Sequence, residues 1–77
     1  MAARAYIFIE TDLGKTNSAV MALRPIKEVK AVDMVTGPYD IIVVVEAADL
    51  NAIGDLVANR IHTVPGVRRT LTSLALG

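Results

Sequence analysis

Tyr39-Asp40-Ile41-Ile42-Val43-Val44-Val45-Glu46 is the stretch that decides the fold. Side chains alternate between the two faces of a strand, so this segment is apolar at Ile41, Val43 and Val45 on one face and at Ile42 and Val44 on the other. A strand of that kind belongs inside a sheet with apolar matter against each face. Ala5 to Glu10 reads in a similar way, with Tyr6 and Phe8 on one side and Ile7 and Ile9 on the other.

Working outward, Gly37-Pro38 is a tight break that joins the decisive segment to Val29–Thr36 as a hairpin. In that partner strand Val29, Ala31 and Val35 are expected on one side and Val32 and Met34 on the other, with Lys30 and Asp33 marking a half-exposed position. Thr11, Asp12 and Gly14 predict a turn and N-cap, after which Ala19, Val20 and Leu23 recur at helical spacing until Pro25. Asp49 predicts the N-cap of a second helix, whose Leu50, Ile53, Val57 and Ile61 form one stripe, with Gly54 weakening it. Pro65-Gly66 closes that helix, and Val67 to Leu76 is the last strand.

The order strand-helix-strand-strand-helix-strand in so short a chain predicts one α+β domain over residues 1–77. Its layout is the ferredoxin-like βαββαβ arrangement: a four-stranded antiparallel sheet, strands one and three central, two helices on one face. The strands placed centrally by topology are the two that are apolar on both sides. Helices cover only one face, so the other is expected to meet a second sheet, a pairing of the dimeric α/β-barrel type. Size points the same way, because a chain this small buries only about 60% of its unfolded surface. With no cysteine and one histidine, disulfide and metal staples are excluded and association remains.

Eight basic and eight acidic residues cancel and are scattered, which argues against direct contact with nucleic acid. Arg68-Arg69 is the only basic cluster and suits a solvated strand edge. The longest unbroken apolar run, Ile41 to Val45, is far short of the roughly 20 residues of a membrane-spanning helix. Absence of cysteine suits a reducing compartment, and a cytoplasmic location is expected.

Constellations for catalysis are scarce. His62, the single histidine, has no second histidine or cysteine to complete a metal site or a nucleophilic pair. Glu10, Glu28 and Glu46 fall at strand edges or ends, while Asp49 and Asp55 read as a cap and a solvated face. No phosphate-cradling glycine pattern surrounds Gly14 or Gly37. No cofactor, no metal and no enzymatic activity are expected.

Thr36-Gly37-Pro38-Tyr39-Asp40 is the one loop with more polar detail than a turn requires. Asp40 answers a backbone amide on one reading. On the other, exposed amides and the Asp40 carboxylate take the two ends of a zwitterion. Thr70 and Thr72 place two hydroxyls on one face of the last strand, as ordinary strand residues or as ligand donors.

Thr36-Gly37-Pro38-Tyr39-Asp40, then Asp49-Leu50, then Val64-Pro65-Gly66-Val67 leading to Thr70 and Thr72, resemble in order and spacing the ligand-binding domain of the Lrp/AsnC regulators, the domain for regulation of amino acid metabolism (RAM). The resemblance covers nearly the whole chain. It implies dimers built sheet against sheet, assembly into higher oligomers such as octamers, and an amino acid or related effector held between dimers near the hairpin. It places Gly37, Tyr39 and Asp40 at that site, with Thr36, Thr70 and Thr72 as further candidates. Such regulators carry an N-terminal helix-turn-helix, whereas here the first strand begins within a few residues of Met1, which implies a stand-alone module regulating transcription or amino-acid metabolism, co-assembling with full-length regulators. Two other classes share the topology: small monooxygenases or isomerases of the dimeric α/β-barrel kind, and ACT-like regulatory domains whose ligands sit near the first loop, around Asp12 to Lys15.

Overall fold

The computed structural model describes residues 2–76. The elements run β1 (Ala3–Thr11), α1 (Thr16–Leu23), β2 (Val29–Met34), β3 (Ile41–Ala47), α2 (Leu50–Leu56), a π-helical turn (Val57–Ile61) that prolongs α2, and β4 (Val67–Leu74). The strands form one antiparallel sheet in the order β2-β3-β1-β4. This is the ferredoxin-like βαββαβ fold, with the two doubly apolar strands in its centre.

Pairing register assigns every side chain to a face. Ile41, Ile9 and Thr70 stand in one cross-strand row; Val43, Ile7 and Thr72 in the next; Val45, Ala5 and Leu74 in the third. These rows face the helices. Ala5, Ile7, Ile9, Ile41, Val43 and Val45 are fully buried there against Ala19 and Leu23 of α1, Ile53 of α2 and Ile61 of the π-turn. Each such aliphatic side chain contributes about 1.5–3 kcal/mol when fully buried, so this layer holds the domain together.

The opposite face carries the rows Ile42–Phe8–Leu71 and Val44–Tyr6–Ser73. Phe8, Ile42 and Val44 are half-buried, while Tyr6 and Leu71 are 36% and 51% exposed. Ion pairs bound this apolar patch at both ends, Arg4 with Glu46 at 3.2 Å and Arg69 with Glu10 at 3.9 Å. Beside Arg4, the Tyr6 hydroxyl and the Glu46 carboxylate raise the guanidinium pKa above its ordinary value, so it stays charged at any working pH.

The local expectations need four corrections. First, Val29 does not share a face with Ala31. A bulge at Lys30 shifts the register, so Val29 and Val32 oppose Val45 and Val43 and both pack on the core, while Ala31 opposes Val44. Second, Asp12 does not cap α1. The N-cap position is Lys15, which has no side-chain cap, and Asp12 instead accepts the Lys15 N–H at its carbonyl, 3.0 Å away.

Third, Ile53 and Ile61 are buried as expected and Val57 packs against the core in part, but Leu56 joins the stripe and Leu50 does not. The π-turn adds one residue, with the His62 N–H reaching back five residues to the Val57 carbonyl at 2.8 Å. That puts Ile61 on the same face as Leu56; Leu50, in the first turn of α2, is 58% exposed. Fourth, the strands end earlier or later than expected. Tyr39 and Asp40 lie before β3, Ala75 and Leu76 after β4, and β1 extends from Ala3 to Thr11. The cap of α2 is as expected: the Asp49 carboxylate accepts the Ala52 N–H at 2.8 Å.

Candidate functional site

At the end of the sheet where β3 begins, β1 runs on two residues past Ile9, the partner of Ile41. Asp40 makes up the difference. Its N–H donates to the Ile9 carbonyl at 2.9 Å, its carbonyl accepts the Val35 N–H at 2.9 Å, and its Oδ2 accepts the Thr11 N–H at 2.8 Å. Thr11 is 7% exposed and lies beyond the last β1–β3 pair, Ile9 with Ile41, so its amide on the β3 side would otherwise have no ladder partner. The side chain of Asp40 therefore extends β3 by one hydrogen bond.

The same oxygen takes a second bond from the Thr11 hydroxyl at 3.1 Å. The Thr11 hydroxyl proton being committed to Asp40, the contact of 2.7 Å between the Thr11 and Thr16 hydroxyls is a donation from Thr16. A chain of hydrogen bonds thus runs from the hairpin loop through the end of β1 to the first residue of α1. Sequence pattern marks Thr11 only as part of a turn and Thr16 not at all, since positions 11 and 40 have no common motif and only the fold brings them together.

The rest of the loop projects from this anchor. Gly37 has φ +119°, a left-handed value that L side chains rarely adopt, with open space where a Cβ would be. Thr36 and Gly37 are exposed. Tyr39 is half-buried on the far side of the sheet, its ring centroid 5.6 Å from that of Phe8 and tilted by 53°. Thr36, Gly37, Tyr39 and Asp40 therefore make one cluster between the loop and the open face.

Thr70 and Thr72 do not join that cluster. They stand on the helix-facing side of β4, in the rows of Ile9 and Ile7. Thr70 is at the hairpin end of the sheet, two strands from Ile41 and so about 10 Å across it. Thr72 lines a groove of about 610 Å³ between β4 and α2 with Leu50, Gly54, Val57, His62 and Leu74. Its walls are apolar apart from Thr72 and His62. His62, the C-cap of the π-turn, is placed over this groove by the extra helical residue.

β4 is held to the sheet end by the turn before it. Gly66, at φ +91°, accepts the Asp12 N–H at its carbonyl, 2.8 Å away, and lies so near Lys15 that a Cβ would come within 2.6 Å of the lysine Cβ. Among the described residues no group of three metal-ligating side chains occurs. Among the described residues, too, no helix is long and apolar enough to cross a membrane.

Fold and loop motif together define a ferredoxin-like ligand-binding domain. The chain belongs to the Lrp/AsnC ligand binding domain family, which matches it over residues 4–77. Among solved structures, FFRP-DM1 superposes with a TM-score of 0.92 at 31% identity, covering 96% of this chain and 99% of that one. The feast or famine regulatory protein of M. tuberculosis, complexed with L-methionine, gives a TM-score of 0.85 at 29% identity, covering 97% of this chain and 50% of that one. Among curated proteins, the homocitrate synthase of Sulfurisphaera tokodaii is 44% identical over 61 residues, which are 79% of this chain. The chain spans 13% of that enzyme's length.

Proposed function

We propose that this domain is an effector sensor that binds a free amino acid at the hairpin loop and transmits occupancy through its own association. The observation that carries the reading is the placement of Asp40. Its Oδ2 is committed to Thr11 while the second carboxylate oxygen is left for a ligand ammonium, beside the exposed backbone of Thr36 and Gly37. Membership in a ligand-binding family, and a relative solved with L-methionine, support an amino acid as the ligand class. Thr70, at the same end of the sheet, is a secondary contact in this reading, and Thr72 a more distant one.

The open face supplies the assembly. Two copies placed sheet to sheet cover Tyr6, Phe8, Ile42, Val44 and Leu71 and leave the flanking ion pairs at the rim. Further association of such dimers, octamers included, brings loops of neighbouring pairs together. These 77 residues perform no catalysis and read no DNA in this account. Where transcription is the output, the DNA contact belongs to another part or another chain, including a co-assembled Lrp/AsnC regulator in the cytoplasm.

The test is a thermal-shift screen of the assembled protein against the amino acids, repeated on Asp40→Asn. The asparagine oxygen still serves the Thr11 amide, so the fold is kept while the charge for an ammonium is removed. A stabilising ligand that is lost in Asp40→Asn is expected. Stabilisation that survives the substitution refutes the site.

A second reading is favoured by one observation: identity to a segment of homocitrate synthases is 44%, against 29–31% for the two compared structures. In that reading the sensor controls a biosynthetic condensing enzyme rather than a promoter. Turnover of such an enzyme, measured with and without this chain and the effector, separates the two outputs.

A further inference from the structure

We infer that a second groove, on the helix layer and separate from the hairpin and from β4, binds a free amino acid that carries an additional cationic group. The groove has a volume of about 380 Å³ and lies between α2 with its π-turn and the connection from α1 to β2. Ala52 and Leu56 form its apolar floor, Asp55, Asn59 and Arg60 one rim, and Glu28 the opposite wall. That volume falls in the range of small-molecule sites, about 300–1,000 Å³.

Three features select the ligand. Glu28 and Asp55 bring two carboxylates and Arg60 one guanidinium, and among the described residues none of the three enters an ion pair. The groove is thus left with one net negative charge, and a dibasic amino acid, with two cationic groups and one carboxylate, matches the count and the signs. The backbone of Glu28 is also fixed in place: its carbonyl accepts the Glu46 N–H from the central strand at 3.0 Å. The residue is half-buried and its shielded Oε1 has no hydrogen-bond partner, so the carboxylate is left to meet a cation through its other oxygen.

Spacing agrees with the assignment. Asp55 and Arg60 are five residues apart, about 7 Å along a helix axis, which suits a ligand whose charged ends are separated by a four-carbon stem. The ligand carboxylate then pairs with Arg60, one ammonium with Asp55 and the other with Glu28, and the stem lies over Ala52 and Leu56. Asn59 supplies a neutral donor and acceptor at the rim.

Calorimetric titration of the assembled protein with L-lysine and L-arginine, using L-leucine and L-methionine as uncharged-side-chain comparators, tests the inference. Saturable binding of the dibasic pair is expected, weakened roughly tenfold or more in each of Glu28→Gln and Asp55→Asn. Asp55 is exposed, so Asp55→Asn folds even where Glu28→Gln disturbs the wall. Absence of dibasic binding, or binding indifferent to both substitutions, overturns the proposal. Asp40→Asn separates it from the hairpin site: dibasic binding persists in that variant, and its loss there with Glu28→Gln and Asp55→Asn unaffected assigns it to the hairpin and overturns the groove.

Discussion

Replacing Gly66 by alanine should be among the most damaging single-atom changes available outside the buried core. Two costs add. A residue at φ +91° holds a backbone conformation that costs an L side chain about 1–2 kcal/mol. The new Cβ would also meet Lys15 Cβ at 2.6 Å and Cγ at 3.2 Å, and overpacking of this kind costs about 1–3 kcal/mol. Lys15 yields poorly because the clash is with the root of its side chain, and its backbone is tied to Asp12, which is tied in turn to the Gly66 carbonyl. The sum is roughly 2–5 kcal/mol, out of about 4–12 kcal/mol for a domain of this size.

In a domain this small each kcal/mol moves Tm by about 4–8 °C, so Gly66→Ala should lower Tm by about 8 °C or more. Melting followed by circular dichroism measures it, at one fixed protein concentration because association shifts the apparent midpoint. Gly37→Ala is the control: its φ is +119° with nothing within 4 Å, so only the backbone cost applies, about 1–2 kcal/mol. Adding Lys15→Gly to Gly66→Ala removes the atoms in collision and should restore part of the loss. A Gly66→Ala variant that melts within about 4 °C of the parent, or one that Lys15→Gly fails to rescue, refutes the steric account.

Three further outcomes follow from the same geometry. Asp49→Ala removes the oxygen that accepts the Ala52 N–H and should cost about 1 kcal/mol, read as a Tm drop of about 4–8 °C. Leu71→Lys puts a charge on the open face, on its edge strand β4, at a side chain already 51% exposed, so the monomer should stay folded while mass measurement in solution shows smaller particles. Ile7→Ala empties a site with no exposure between both helices and the sheet, and should cost about 2–5 kcal/mol by urea denaturation.

The central strands were legible because their signal is local: Ile41 to Val45 and Tyr6 to Ile9 declare two apolar faces whatever surrounds them. The hairpin and the Asp49 cap were legible for the same reason, each being a matter of a few adjacent residues. What escaped is whatever depends on one residue too many. The bulge at Lys30 turned Val29 toward the core, and the π-turn set Ile61 five residues after the buried Leu56 rather than four. Neither carries a composition signal, because both are settled by what the opposing surface accepts. The loop motif identified Asp40 but not its partner, since Thr11 is distant in sequence and becomes a neighbour only because β1 runs on past the point where β3 begins.

The π-turn at Val57–Ile61 also changes how this chain should be set beside its relatives. Length differences between related proteins ordinarily fall in loops, where an extra residue disturbs nothing. Here the extra residue is inside a helix, and everything beyond it is rotated by about 100° relative to an uninterrupted α-helix. Where a relative's second helix is α throughout, the correct correspondence needs a one-residue gap within the helix itself. Deleting one residue of that turn from this chain would bring Leu56 and Ile61 to α-helical i, i+4 spacing and keep both on the core face, whereas deleting one before it, between Ile53 and Leu56, would break the stripe.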